Sequence, residues 1–258
     1  MKTSNPVLTD KALGKVTTEL TSATGSPIGA ESGDRFTVIG TIQRSAILLM
    51  LVVAGGWVGW NLVDVSELGS VNVPGWLMPG ALAMVALAFL TFFKPALAPV
   101  TAPIWALGEG VFVGAVSHIY EFQFDGIVSQ AAIATVATAG ATLLAYRSGL
   151  IRATPKFRKI VTIATMGVMA VYLINIAMMM FGGDGIGLLW DSGPLGIGIS
   201  LFVVGLAAMN LVLDFDLFER GEAAGWPPKM MWFAAFALVV TLVWLYLEML
   251  RLLAKLRD

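Results

Sequence analysis

The sequence predicts an all-α polytopic membrane protein with seven transmembrane helices. Of its 258 residues, 57% are hydrophobic and 13% are charged, which excludes an ordinary soluble domain. The apolar residues form continuous blocks long enough to cross a bilayer, which takes ~20 residues of helix. Continuous blocks favour helices over a β-barrel, whose strands alternate apolar and polar residues. All 16 Lys and Arg residues flank alternate blocks or lie in the last eight residues.

Seven blocks are nearly free of charge, and each is predicted to be one transmembrane helix. In chain order they are 45–63, 76–93, 103–120, 127–146, 160–181, 195–213 and 230–247. Residues 1–40 are rich in Ser, Thr and Gly with mixed charge, so we interpret them as a flexible cytoplasmic tail. They contain no early apolar core, so we expect the first helix itself to direct insertion. The transmembrane domain is then 41–258.

The charges of the connections alternate, and this alternation predicts the orientation. The N-terminal segment and every second connection contain the bases, with the densest cluster at 147–159, whereas the connections between them contain only acids. Basic residues in short loops stay cytoplasmic, so we expect a cytoplasmic N-terminus in the cell inner (plasma) membrane. Seven spans then place Arg251, Lys255 and Arg257 outside, where the rule does not expect bases. Either the rule fails there, or the last block is a re-entrant hairpin, or the number of spans is not seven.

The composition also excludes several kinds of site and partner. There is no Cys, so disulfides, thiolate metal sites and cysteine catalysis are absent. A single His excludes a metal cage built from histidines. The formal net charge of −1 gives no indication of a nucleic-acid partner. The partners that remain are the lipid bilayer, a cation and another membrane protein, and no cofactor is predicted.

Acidic residues inside the predicted helices are the main candidates for function. Charge inside a span is costly and usually faces the interior of the bundle. Glu109 lies about two turns into the third block, which contains no Lys or Arg. Asp214 and Asp216 end the sixth block near its predicted inner boundary. Residues two apart point ~200° away from each other on a helix, so we expect the two aspartates to meet different partners.

Two further residues lie near the predicted outer ends of their helices. Glu248 is three residues from Arg251 on the same helix face, which indicates an ion pair at the surface rather than a site. His118 shares a face with Glu121, and a proton-sensitive pair is one interpretation because His titrates near neutrality. An interfacial His beside a solvated Glu is the commoner arrangement.

Several short motifs, in a regular order, resemble a known family. The main runs are 192–198, 204–206 and 210–216, supported by 93–95, 102–104, 107–110, 146–150 and 241–248. In this order and spacing they resemble a bacterial branch of the Bax inhibitor-1 family over residues 40–254. The resemblance implies a seven-helix bundle with the last helix central, and a calcium leak across the membrane that is gated by pH.

The resemblance also implies a pair of aspartates, of which this chain contains only one. In the family, one aspartate on the sixth helix and one on the seventh share a hydrogen bond and sense protons. Asp214 matches the first. The second falls near Val240 or Thr241, where there is no carboxylate, and Thr241 can form hydrogen bonds but cannot titrate.

Glu109 is the residue that we expect to replace the missing aspartate. Glu248 lies seven residues past Thr241, ~10 Å further along the helix, and so at the wrong depth. Glu109 matches the depth of Asp214, so we predict that these two acids face each other and bind protons and cations in competition. Their oxygens suit Ca²⁺, and Asp216 is a possible additional ligand.

Three classes of function remain open at this stage. The first is a pH-sensitive cation leak, which the buried acids without buried bases favour. The second is a regulator that binds a membrane protease or a stress-response partner through the loop at 147–159 or through the tail. The missing second aspartate and the long tail favour this regulator. An enzyme is the third, and we do not predict one, because the chain contains no visible nucleophile–base set.

Overall fold

The structure, a computed structural model, describes residues 35–65, 71–183, 185–189 and 191–258. Residues 1–34 of the predicted tail lie outside this range, so the tail stays a prediction. Residues 36–40, which the sequence analysis placed in the tail, belong to the helical bundle. Phe36 is only 1% exposed and packs edge-on against Trp226. Its backbone N–H also donates to the carbonyl of Trp226 at 2.9 Å.

Seven α-helices make up most of the described part of the chain. They are α1 (Val38–Leu62), α2 (Leu77–Phe93), α3 (Ala98–Gln123), α4 (Ile127–Arg147), α5 (Pro155–Met180), α6 (Pro194–Ala223) and α7 (Met230–Arg257). Two short antiparallel strands, β1 (Asp64–Val65) and β2 (Val71–Asn72), lie between α1 and α2. Single 3₁₀ turns at Pro95–Leu97 and Gly187–Leu189 precede α3 and α6.

Six of these helices, all except α2, are long and apolar enough to cross a membrane. The chain is therefore a multi-pass membrane protein, as predicted. The remaining helix, α2, is apolar but has 17 residues. At ~1.5 Å of rise per residue it is about 26 Å long, slightly less than the ~30 Å hydrocarbon core of a bilayer.

Most helices continue beyond the apolar blocks that predicted them. α1 begins at Val38, before the predicted start at Ser45, and α7 continues to Arg257. The prediction placed helix ends at charged residues, whereas a helix can carry charges on turns that find polar partners. Arg44 is an example: it donates to the carbonyl of Gly40 at 2.9 Å and lies over the ring of Trp232.

Local sequence explains where several helices begin. The hydroxyls of Thr37 and Thr154 accept hydrogen bonds from the backbone N–H groups of Gly40 and Phe157, which caps α1 and α5. Proline is the first residue of both α5 and α6, where its missing N–H costs nothing. Gly126, between α3 and α4, has a φ of 74°, a backbone conformation that residues other than glycine rarely adopt.

Glycines bring α1 and α3 into direct backbone contact. A Cβ atom added to Gly59 would overlap the carbonyl oxygen of Val111, and one added to Gly114 would overlap that of Gly56. Gly110 faces the backbone of Val52 in the same way. Small residues at this spacing allow membrane helices to approach closely and gain van der Waals contact. This pair forms the most extensive contact between helices in the described structure.

The last helix contacts side chains or backbone of every other helix. It packs closely against α1, α3, α4 and α6. Phe236 contacts Phe92 of α2, and Glu248 accepts a hydrogen bond from Tyr172 of α5. By contrast, α5 is the least buried of the six long helices. Many of its large apolar side chains are exposed, as a surface in contact with lipid would be.

Candidate functional site

Asp214 lies at the contact between α6 and α7 and is 8% exposed. Its carboxylate interacts with the hydroxyl of Thr241 on α7. The Oδ2 atom of Asp214 is buried and has no hydrogen-bond partner in the part of the chain that the structure describes. Thr241, also 8% exposed, donates its own hydroxyl hydrogen to the carbonyl of Ala237 at 3.1 Å. The two positions that the resemblance brings together are therefore in contact, with a threonine in place of the second aspartate.

Asn210, one turn before Asp214, connects the same part of α6 to a third helix. Its side-chain amide donates to the hydroxyl of Thr165 on α5 at 2.7 Å and to the carbonyl of Leu206 at 2.9 Å. Polar side chains thus connect α5, α6 and α7 at this depth. Hydrogen bonds between helices are favourable in a membrane, because water is not available as an alternative partner.

Glu109 is half-buried on α3. Within the described residues, no hydrogen bond or ion pair joins it to another group. Its neighbours Gly108 and Gly110 face Met84 of α2 and Val52 of α1. The helices α3 and α6 share no extended contact, because α7 packs against both. The predicted contact between Glu109 and Asp214 therefore stays a prediction, and no described interaction brings the two acids together.

Asp216 is part of an ion-pair cluster. Its carboxylate pairs with Arg158 of α5 at 3.0 Å and with Arg220, one turn further along α6, at 2.7 Å. Asp214 and Asp216 therefore meet different partners, as the ~200° angle between them on a helix predicts. With two arginines beside it, the negative charge of Asp216 is balanced within the protein. Arg158 is 58 residues away in the sequence, and nothing in the sequence indicates this pairing.

Glu248 is buried in a polar network at the other end of α7. The predicted ion pair with Arg251 is present at 2.9 Å, but Glu248 is only 1% exposed, so the pair is not at the surface. The hydroxyl of Tyr172 donates to Glu248 at 2.7 Å and accepts from Arg251 at 2.8 Å. Tyr120 of α3 also interacts with Arg251. A tyrosine inside an apolar helix is the available signal for such a network, since a buried hydroxyl requires a partner.

His118 and Glu121 do not form a pair with each other. The ring of His118 stacks on Trp60 of α1, with centroids 4.7 Å apart, and its Nδ1 is buried without a partner. Glu121 accepts hydrogen bonds from the backbone N–H groups of Gly126 and Val128, at 2.8 and 2.9 Å. The carboxylate of Glu121 is therefore used to hold the start of α4.

The bases that the orientation rule did not expect at the end of α7 all have polar partners. Lys255 is buried and donates to the carbonyl of Gly196 at 3.0 Å. Arg257 donates to the carbonyl of Asp125 and to the side chain of Gln130, both at 2.8 Å. Arg251 and Lys255 therefore lie within the fold, whereas Arg257 is exposed and forms its hydrogen bonds at the surface.

Two cavities lie at opposite ends of the bundle. One, of about 370 Å³, lies at the end of α7, and its lining includes Tyr120, Arg251 and Lys255. The other, of about 460 Å³, lies between the α4–α5 connection and α6, and its lining includes Arg147 and Asp216. The described residues contain no group of three or more His, Asp or Glu side chains able to hold a metal ion.

The family model described as Bax inhibitor 1 like matches residues 5–258 of the chain. The chain belongs to the Bax inhibitor 1-like family. Comparison with curated proteins and with solved structures gives no significant match. The match confirms the family that the motifs at 192–216 and elsewhere indicated, whereas the bacterial branch stays a prediction. That Asp214 is the first member of the family's aspartate pair, with Thr241 in the place of the second, stays a prediction.

Proposed function

We propose that this member of the Bax inhibitor 1-like family is a pH-sensitive cation leak, in which Asp214 interacts with both the permeating cation and the regulating proton. The observation that supports this role is the buried carboxylate of Asp214, whose Oδ2 has no hydrogen-bond partner. The two other buried acids of the described bundle, Asp216 and Glu248, are each paired with arginine. Asp214 is therefore the buried acid that retains an oxygen for a mobile ion.

The contact with Thr241 supplies a way for protonation to change the helix interface. The hydroxyl of Thr241 has one hydrogen, which it donates to Ala237. A protonated Asp214 can donate to the free lone pairs of that hydroxyl, which completes a hydrogen-bonded chain from α6 to α7. An ionised Asp214 must instead compete with the carbonyl of Ala237 for the hydroxyl hydrogen of Thr241, or bind a cation. Protonation would thus join the two helices and remove the cation site, closing the leak.

A seven-span topology with α7 at the centre accommodates this gate. We propose that α2 crosses the membrane with the six longer helices, since ~26 Å of apolar helix needs little thinning of the bilayer. The contacts of α7 with all six other helices support its central place. The N-terminus is cytoplasmic in this topology, and Asp214 lies in the inner half of a cell inner membrane.

Ca²⁺ is the permeant ion that we propose, because carboxylate and hydroxyl oxygens are hard ligands. Cation flux into proteoliposomes should be measured for Ca²⁺, Na⁺ and K⁺ between about pH 6 and pH 8. Asp214→Asn should flatten the pH profile, because asparagine has similar shape but does not titrate. Asp125→Asn is the matched control, since Asp125 is exposed in the α3–α4 connection. Glu109→Gln tests whether the second acid of the sequence prediction takes part.

Two outcomes would contradict this proposal. One is wild-type protein that carries no more cation than empty liposomes, and the other is an Asp214→Asn variant that keeps the wild-type pH profile. The first outcome would favour a second candidate, a membrane-embedded regulator without ion flux. The exposed face of α5 favours that candidate, because Met166, Met178 and Met180 offer adaptable apolar contacts to a partner helix.

A further inference from the structure

The cavity between the α4–α5 connection and α6 is lined by two arginines and two acids. Its volume is about 460 Å³, and the side chains that matter for its chemistry are Tyr146, Arg147, Arg152, Asp216 and Glu219. Asp216 is already held by two guanidinium groups, those of Arg158 and Arg220. Glu219 accepts a hydrogen bond from the hydroxyl of Tyr146 at 2.6 Å. Both acids of the lining thus have partners within the protein.

The two arginines of the lining have no such partner among the residues that the structure describes. Within the described residues, neither Arg147 nor Arg152 forms an ion pair or a side-chain hydrogen bond. The guanidinium group of Arg152 lies close to Gly149, whose φ of 75° reverses the chain between the two arginines. Each guanidinium presents a planar set of donors that matches the oxygens of a phosphate group. Arginines on either side of a tight turn thus offer donors to one anion.

Apolar side chains beside the cavity indicate that the anion belongs to a lipid. Leu150, between the two arginines in the sequence, is 81% exposed. Leu144, one turn before Arg147 on α4, is also exposed. A soluble phosphate compound would leave these side chains uncovered, whereas the acyl chains of a phospholipid would cover them. Basic cavities at the cytoplasmic ends of membrane helices are suited to anionic headgroups.

We propose that this cavity binds the phosphate headgroup of an anionic phospholipid, through Arg147 and Arg152. The paired acids Asp216 and Glu219 form the opposite wall and exclude a second phosphate. The site is separate from Asp214, and the proposal does not depend on cation flux. It connects the loop that the regulator hypothesis singled out with the inner leaflet of the membrane.

The experiment compares lipids on the full-length protein in detergent, by native mass spectrometry and by the shift in melting temperature. Phosphatidylglycerol should bind and stabilise more than phosphatidylcholine or phosphatidylethanolamine, and glycerol 3-phosphate alone should bind far more weakly. Arg147→Gln with Arg152→Gln should reduce phosphatidylglycerol binding about tenfold, which corresponds to the loss of charged hydrogen bonds. Lys156→Gln with Lys159→Gln is the matched control, because both lysines are exposed in the same region but do not line the cavity.

Three outcomes would overturn the proposal. Equal loss in the two double variants would mean that the charge of the whole loop attracts lipid, without a site. Binding of glycerol 3-phosphate as tight as that of the lipid would identify a site for a soluble phosphate. A preference of the wild-type protein for phosphatidylethanolamine would show that Glu219 recognises an ammonium group instead. The comparison of lipids on the wild-type protein decides the matter even if a double variant does not fold.

Discussion

The hydroxyl of Thr241 on α7 interacts with the buried carboxylate of Asp214 on α6, and it also lies within hydrogen-bond distance of the carbonyl of Ala237, at 3.1 Å. The contact joins two helices through one titratable group and one group that cannot titrate. In the family resemblance both positions are aspartates, so a threonine here changes the number of protons that the contact can hold from two to one.

Thr241→Val should weaken the pH dependence of cation flux, because a protonated Asp214 would lose its acceptor on α7. Thr241→Asp should strengthen that dependence by restoring a second titratable group. Thr135→Val is the matched control, since Thr135 is equally buried and its hydroxyl bonds only within its own helix, to Ala131 at 2.7 Å. Flux measured across the pH range checks all three variants. A Thr241→Val profile identical to wild type would remove Thr241 from the gate.

Gly59→Ala and Gly114→Ala should each destabilise the bundle. Their added methyl groups would meet backbone atoms of the facing helix, so α1 and α3 must move apart. We expect a loss of about 1–3 kcal/mol in the free energy of unfolding, typical of overpacking. Gly140→Ala on α4 is the control, because a Cβ there meets nothing within 4 Å. Unfolding in detergent with increasing denaturant measures the difference, and equal stability of all three variants would contradict the close approach.

Glu248→Gln should destabilise the C-terminal part of α7 more than removal of the whole pair does. The substitution leaves Arg251 largely buried without its counter-charge, which costs about 3–5 kcal/mol. Replacing both residues, as Glu248→Met with Arg251→Met, should recover much of that loss because no lone charge remains. Tyr172→Phe should cost less, since it removes a hydroxyl and no charge. Additive losses in the double variant would show that the ion pair has no energetic coupling.

Deletion of residues 1–34 should leave the bundle folded, whereas deletion of residues 1–37 should not. The longer deletion removes Phe36 from its contact with Trp226 and Thr37 from the start of α1. Loss of a buried phenylalanine costs about 3–5 kcal/mol, and loss of a helix cap about 1 kcal/mol. Melting temperatures of the two truncated proteins check this. Unfolding of the shorter deletion would mean that the tail stabilises the bundle.

The orientation can be tested by single cysteines, because the chain contains none. Lys156→Cys should be protected from an impermeant thiol reagent added outside, whereas Gly187→Cys and Leu256→Cys should react. All three positions are exposed. Reaction at residue 156 with protection at residue 187 would reverse the proposed orientation. Protection at residue 256 would show that α7 does not cross the membrane.

Much of the fold was predictable because each helix corresponds to a continuous block of apolar residues in the sequence. A block of apolar residues must form a helix in lipid, where its backbone groups have no other hydrogen-bond partners. The seven blocks accordingly match the seven helices, and helix ends differ because Arg44 and Lys255 find polar partners inside the bundle. The motifs around Asp214 also indicated the family, which the match over residues 5–258 confirms.

The candidate site was predictable only in part, because it depends on which helices meet. Sequence reasoning singled out Asp214 and located the second position near Val240 or Thr241, and the structure places Thr241 in contact with Asp214. It could not decide whether Glu109 faces Asp214, since depth along a helix says nothing about the direction across the bundle. Nor could it foresee Arg158 beside Asp216 or Tyr172 beside Glu248, pairs separated by 58 and 76 residues.

The sequence by itself determined the class of the protein, the order of the seven helices in the described part of the chain and the set of acids available for a site. These properties follow from local composition, since lipid selects apolar helices and tolerates few charges. The tertiary structure decided which acids are neutralised and which keep a free oxygen. Asp216 and Glu248 have arginine partners, while Asp214 has a threonine, because these contacts depend on helix rotation and packing. Helix rotation and packing depend on contacts between distant segments, such as the close glycine contacts between α1 and α3 and the contacts around α7. The sequence of one segment alone does not predict them.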